Sequence, residues 1–236
     1  KEKFYRNGKP LTYTKGFRYS VAETKPYKGT RVNPPPFHFT NIQDHIRFNY
    51  ETIISSGGLE ADDEMCIYQM NSDEETTICS RDKDLRICEG WHYSWECGGQ
   101  KAIGPHYTDK VGSLDLLDDG KVLGYGLKFF YYQMLAGDAA DNIGGLPKVG
   151  AKKAFMLIDP WNSEPDLFMC VTTEYMKVLT KERNKRHDPF DGEILTDEEV
   201  RSYWREQANL LWMVQKRNGD SFEFYKPPTP KLLTSS

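Results

Sequence analysis

Residues 137–154 read GDAADNIGGLPKVGAKKA, from Gly137-Asp138 through Ile143-Gly144-Gly145 to Lys152-Lys153-Ala154. Glycine lets backbone N–H groups turn outward where a Cβ would clash. Here the glycines lead into a predicted helix over Ala151–Ile158, whose first N–H groups lack partners and whose dipole favours anions. Lys148, Lys152 and Lys153 add positive charge. On the other side, Leu127–Ala136 (LKFFYYQMLA) reads as a strongly apolar helix. Helix, glycine loop and lysine-bearing helix together predict a helix–hairpin–helix-type grip on a phosphate backbone, made without base-specific contacts.

The same stretch carries Asp138 and Asp141, three residues apart, and two more acidic clusters lie upstream: Glu60-Ala61-Asp62-Asp63 and Asp82-Lys83-Asp84. On a helix Glu60 and Asp63 share a face, while Asp62 points ~100° away. Asp82 and Asp84 share a side of an extended chain. Hard divalent cations take oxygen ligands, and two such ions ~4 Å apart suit phosphodiester hydrolysis. Acidic pairs are also common on solvated surfaces and at helix N-termini. The glycine–lysine loop beside Asp138 and Asp141 is what turns the reading towards a site.

Working outward, Thr40–Ser56 predicts a helix with Ile42, Ile46, Ile53 and Ile54 near one face, ended by Gly57-Gly58. A second helix is expected to carry Glu60–Met70. Thr76–Ser80 (TTICS) reads as a buried strand, with Leu85–Glu89 and His92–Glu96 as further short strands and residues 98–124 as a long connection. Residues 159–195 read as mixed, with Lys181–His187 exposed. Thr196–Val214 reads as a helix opened by a Thr196/Glu199 capping box, and the tail from Pro227 as loose. Alternating strands and helices imply an α/β fold with a mostly parallel central sheet. Asp82 and Asp84 would then lie beyond a strand's carboxyl end, where such sheets gather ligands.

The 236 residues suit one α/β domain with an appendage or two small domains, and 38% hydrophobic residues suffice for a core. The net charge is −4, but seven carboxylates sit in the acidic clusters and the remainder is net positive. An acidic total can hide a basic surface around an acidic metal site. There is no apolar run of membrane-spanning length and no signal-peptide pattern, so no membrane partner and a cytoplasmic location (a host's cytoplasm if phage-encoded) are expected. Five scattered cysteines, without a CxxC pair, predict reduced thiols. Cys79, Cys88, His92 and Cys97 are the only zinc candidates, at spacings unlike the usual knuckles.

GDAADNIGGLPKVGAKKA resembles the GDxxDNIxGxxxxGxKxA signature of the 5′-nuclease superfamily, which includes phage exonucleases, the 5′-nuclease domain of DNA polymerase I and flap endonucleases. GLEADDEM, residues 58–65, resembles its G-x-E-A-D-D motif, and TICSRDKDLRI, residues 77–87, its strand followed by D-x-D. The three motifs occur in the family order between roughly Arg18 and Ile158. The resemblance implies a PIN-like sheet fold with a helix–hairpin–helix subdomain, and 5′→3′ exonuclease activity with structure-specific flap cutting. Two Mg²⁺ (or Mn²⁺) ions would be held by Glu60, Asp62 and Asp63 at one site and by Asp82, Asp84, Asp138 and Asp141 at the other. Gly145, Val149 and Gly150, with Lys148, Lys152 and Lys153, would hold duplex DNA, with a potassium ion at the hairpin. Phe17-Arg18-Tyr19 and Lys25–Arg31 resemble the family's Y-K-x-x-R element, which makes Lys28 and Arg31 the catalytic cations and Arg18 a DNA contact. The expected partners are DNA 5′ ends, flaps and duplex ends, with RNA primers as a further class, and the expected state is a monomer. Residues 1–120 would form the metal-binding core, with the basic segment at about 15–40, and residues 121–236 the DNA-binding and helical region.

The family pattern opens with a strand carrying an aspartate, then a second, ahead of the Y-K-x-x-R element. The 27 residues before Lys28 contain no aspartate, and the sequence opens on Lys1. The N-terminal strand is therefore expected to be missing through omission, a split gene, or descent into a noncatalytic duplex- or junction-binding relative; omission is the favoured expectation.

Overall fold

The computed structural model describes residues 5–6, 9–10, 16–31, 33–53, 55, 57–183, 188–219 and 221–229. Among them the chain is mixed α/β, with helices predominating. Two short strands, β1 (Tyr5–Arg6) and β2 (Lys9–Pro10), form an antiparallel ladder separate from the main sheet. Then come α1 (Arg18–Val21), α2 (Phe39–Asn49), α3 (Ala61–Asn71), β3 (Thr77–Cys79), a 3₁₀ turn at Asp84–Ile87, β4 (Gly90–Ser94), β5 (Ile103–Thr108), β6 (Leu114–Leu116) and β7 (Val122–Gly124). Helices α4 (Gly126–Ala136), α5 (Ala151–Ile158), α6 (Glu164–Leu179) and α7 (Asp197–Leu211) follow, then β8 (Arg217–Asn218) and β9 (Ser221–Phe222).

α4 organises the core. Its residues from Gly126 to Leu135 are all buried, as expected of a helix that is apolar all round. α5, α6 and α7 pack around it. The Tyr175 hydroxyl donates to the Met134 carbonyl at 2.6 Å, and the Lys128 ammonium to the Asp159 carbonyl at 2.8 Å. One hydrophobic cluster runs from Tyr27 and Cys66 through α4 to Leu211 and Tyr225.

The expected mostly parallel sheet is corrected. β3 and β4 are parallel, with Ile78 opposite His92, but β4 and β5 are antiparallel. The link over residues 95–102 is too short for a crossover and long enough for a hairpin. The other strand pairs are antiparallel two-stranded ladders, so residues 98–124 are not a plain connection but hold β5, β6 and β7. Leu85–Glu89 is not a strand either: Leu85 and Ile87 turn into the core from the 3₁₀ turn.

α2 ends at Asn49, earlier than expected. The Asn49 amide donates to the His45 carbonyl at 2.8 Å and Tyr50 is extended. No residue of α2 is buried, so its isoleucines face solvent rather than the core. Ile54, Ser56 and residues 184–187 of the expected basic stretch lie outside the described residues, as do residues 230–236 of the tail. α6 went unread although its signals are local: the Ser163 hydroxyl accepts from the Asp166 N–H, and a proline sits in the first turn. α5 spans the expected residues, and α7 carries the expected Thr196/Glu199 capping box. No described helix is long and apolar enough to cross a membrane.

Cys66 and Cys88, both without solvent exposure, form a disulfide, which corrects the expectation of reduced thiols. Packing brings their Cα atoms to 6.0 Å, within the range a disulfide spans. The bond removes Cys88 from the zinc candidates. Cys79 and Cys97 are exposed on separate segments, and the buried His92 ring pairs with the Cys88 carbonyl at 2.8 Å.

Candidate active site

The three acidic clusters converge. Asp62, Asp82, Asp84, Asp138 and Asp141 line one cavity of about 180 Å³ together with Tyr27, Lys28, Arg31 and Lys83. Asp62 comes from the first turn of α3, Asp82 and Asp84 follow β3, and Asp138 and Asp141 come from the loop between α4 and α5.

That loop is shaped by glycine. Gly137 has φ +74°, and a Cβ there would stand 2.5 Å from the Ile143 carbonyl oxygen. Asp138 and Ile143 exchange backbone hydrogen bonds of 2.9 and 2.8 Å, closing a tight turn. The Asp138 carboxylate accepts the Ala140 N–H at 2.9 Å, which aims its other oxygen at the Lys83 ammonium, 2.5 Å away.

Lys83 also reaches Asp84 at 2.7 Å, and the Gln133 amide donates to the same Asp84 oxygen at 2.6 Å. Burial raises the Asp84 pKa, with Lys83 working against the rise. For Lys83, burial acts to lower the pKa, but Asp84 and Asp138 outweigh it and hold it above the ordinary lysine value. Asp62 is pushed up to about 6, by burial first and then by neighbouring Asp63.

The basic segment is tied directly to the acids. Lys28 has φ +53° and donates its N–H to the Asp141 carbonyl at 2.9 Å. Its ammonium meets Glu60 at 2.8 Å, and Arg31 meets Asp141 at 2.6 Å. The Tyr27 hydroxyl stands 2.9 Å from Glu60 and 3.0 Å from Asp141. Burial, then Glu60, hold the Tyr27 phenol far above its ordinary pKa, so it keeps its proton.

Glu60 and Asp63 do not line the cavity. Both Asp63 oxygens are used inside the core, by Arg18, the Glu60 N–H and the Val214 N–H. Arg18, expected to meet DNA, is corrected: it is fully buried and also donates to the Leu210 and Trp212 carbonyls. Gly145, at φ +59°, has its N–H on Gln207 and its carbonyl on Tyr203, and Val149 is buried. Lys148, Gly150, Lys152 and Lys153 are exposed around the start of α5. Tyr27, Lys83 and Gln133 were not assigned from sequence. Tyr27 stands at the tyrosine of the Y-K-x-x-R-like element and Lys83 between the two aspartates of D-x-D, whereas no sequence signal marks Gln133.

The all-carboxylate donor set of the cavity fits a hard divalent cation. Among the described residues, however, no group of three His, Cys, Asp or Glu side chains is gathered closely enough to hold a metal ion. Lysine and arginine cations hold Asp84, Asp138 and Asp141.

Over 164 residues, 66% of this chain, the sequence is 27% identical to DNA polymerase I of Rhizobium leguminosarum. The aligned stretch is 15% of that protein's length. No family model matches the chain, and no solved structure matches it.

Proposed function

We propose that this chain is a divalent-metal-dependent nuclease acting on DNA from or near 5′ ends, a 5′→3′ exonuclease that also cuts flaps. One observation carries the reading: five aspartates from three separated sequence motifs share a cavity with Lys28 and Arg31. The similarity to DNA polymerase I supports DNA as the substrate.

On this reading Asp62, Asp82, Asp84, Asp138 and Asp141 would hold Mg²⁺ or Mn²⁺ once drawn together around the ions. The ions would polarise the phosphodiester and supply an activated water. Lys28 and Arg31 bring positive charge to the rim of the same cavity, where it stabilises charge developing on the phosphate. Tyr27, keeping its proton, donates a hydrogen bond and fixes Glu60 and Asp141. Lys148, Gly150, Lys152 and Lys153 would grip the duplex backbone through charge and the unpaired N–H groups that open α5. Asp63 and Arg18 serve the fold beneath the site, not the ions or the DNA.

A gel assay of a 5′-flap duplex and a plain duplex, in Mg²⁺ and in EDTA, tests the proposal. Short 5′ products that need Mg²⁺ are expected, and Asp138→Asn should abolish them while DNA binding survives. Equal cutting in EDTA, or full activity of Asp138→Asn, would sink it.

A second reading, a noncatalytic duplex- or junction-binding protein, is favoured by one observation: Lys83 and Arg31 already neutralise Asp84, Asp138 and Asp141. Binding that persists in EDTA, without product at any Mg²⁺ or Mn²⁺ concentration, would decide for it.

A further inference from the structure

We infer that Glu206 on α7 is a positioning residue that sets the Lys25–Arg31 segment against the acidic cavity; the inference rests on the nuclease reading. Glu206 is buried, yet no lysine, arginine or histidine pairs with it among the described residues. Its carboxylate is spent on the chain just before the basic segment. One oxygen accepts the N–H groups of Glu23 and Thr24, each at 2.8 Å, and the other accepts the Thr24 hydroxyl at 2.5 Å. A buried carboxylate needs several donors of this kind when it lacks a cation.

The first half of the segment is also anchored on the loop that carries Asp138 and Asp141. The Asn142 amide donates to the Pro26 carbonyl at 2.9 Å, and the Lys28 N–H donates to the Asp141 carbonyl, also at 2.9 Å. Lys28, at the last of these anchors, and Arg31, three residues beyond it, reach Glu60 and Asp141. α7 also holds the glycine loop. Tyr203 and Gln207, three residues before Glu206 and one after it, take the carbonyl and N–H of Gly145 at 2.7 and 3.0 Å. One turn of α7 thus fixes the separation between the catalytic cations and the aspartates. Cutting the Glu206 anchor loosens the entry to the segment and so shifts the cations, while every aspartate keeps its own anchors.

The experiment compares wild type with Glu206→Ala, Glu206→Gln and Thr24→Val. It measures kcat and KM on a 5′-flap duplex, Mn²⁺ binding by calorimetry, and amide exchange over residues 16–31. In Glu206→Ala, kcat should fall about 100-fold, the scale of an ångström misplacement made away from the chemistry. KM and Mn²⁺ affinity should stay as in wild type, and exchange should quicken at residues 23–31. Glu206→Gln should restore kcat, because its amide oxygen still accepts both N–H groups. Thr24→Val, which removes one anchor bond and spares α7, should show a smaller fall of the same kind and keeps the test open if Glu206→Ala does not fold. Unchanged kcat in an active background, unchanged exchange at 23–31, or Glu206→Gln as impaired as Glu206→Ala would overturn the inference. A wild type that does not cut, with exchange quickened in Glu206→Ala, would instead keep the anchor and remove the nuclease reading.

Discussion

Arg18 and Asp63 meet through two hydrogen bonds of 2.8 Å each, in a position closed to solvent. Asp63 sits in the middle of an acidic motif, yet its charge is turned into the core, where Arg18 also ties α1 to the end of α7 through Leu210 and Trp212. Removing one partner leaves the other charge buried and unmatched, which costs about 3–5 kcal/mol. Asp63→Ala should therefore lower the unfolding free energy by roughly that amount in a urea titration. A loss below about 1 kcal/mol would place the pair among weak surface bridges.

Asp62, the next residue back, should behave in the opposite sense. Its pKa is raised from 3.8 to about 6, so the folded state holds its proton more tightly than the unfolded state does. The stability this contributes is fully present below pH 3.8 and is lost as pH rises through about 6. In EDTA, Asp62→Asn should gain stability relative to wild type as pH rises across that window. Parallel stability–pH curves for the two proteins would contradict the assignment.

Lys152 and Lys153 should act on binding alone. Each phosphate contact contributes about 0.9 to the slope of log K against log salt. Lys152→Ala with Lys153→Ala should weaken duplex binding at low salt and flatten that slope by about 2. An unchanged affinity and slope would remove α5 from the DNA surface.

The Cys66–Cys88 disulfide joins α3, which carries Asp62, to the turn that carries Asp84, across a sequence separation of 22. Closing a loop of this length stabilises a fold by about 3 kcal/mol. Thermal melts with and without reductant should show wild type destabilised on reduction and Cys66→Ala/Cys88→Ala insensitive to it. Identical wild-type melts in both conditions would mean the bond does not form.

The elements written in local terms were legible. Ala151–Ile158 follows a glycine, and Thr196 with Glu199 closes its own box, because capping and helix entry involve residues a few positions apart. The Asp82-Lys83-Asp84 motif was likewise readable as the sequel of a strand. α6 was equally local and was missed, although Ser163 and Pro165 mark its start. The extra strands were not local: Ile103–Thr108 becomes β5 by pairing with β4, and only then does the short 95–102 link fix the pairing as antiparallel.

The sequence by itself determined which residue types could make the site: carboxylates in three clusters, lysines beside glycines, a basic segment near the start. It also set Asp62 and Asp63 ~100° apart on the first turn of α3. Only the tertiary structure decided which face met the cavity. Asp62 lines it, whereas Asp63 is taken by Arg18 from α1 and the Val214 N–H from beyond α7. Helical spacing is set by bonds within one turn, but the burial of a face is set by whatever packs against it. Those partners lie 45 and 151 residues away along the chain.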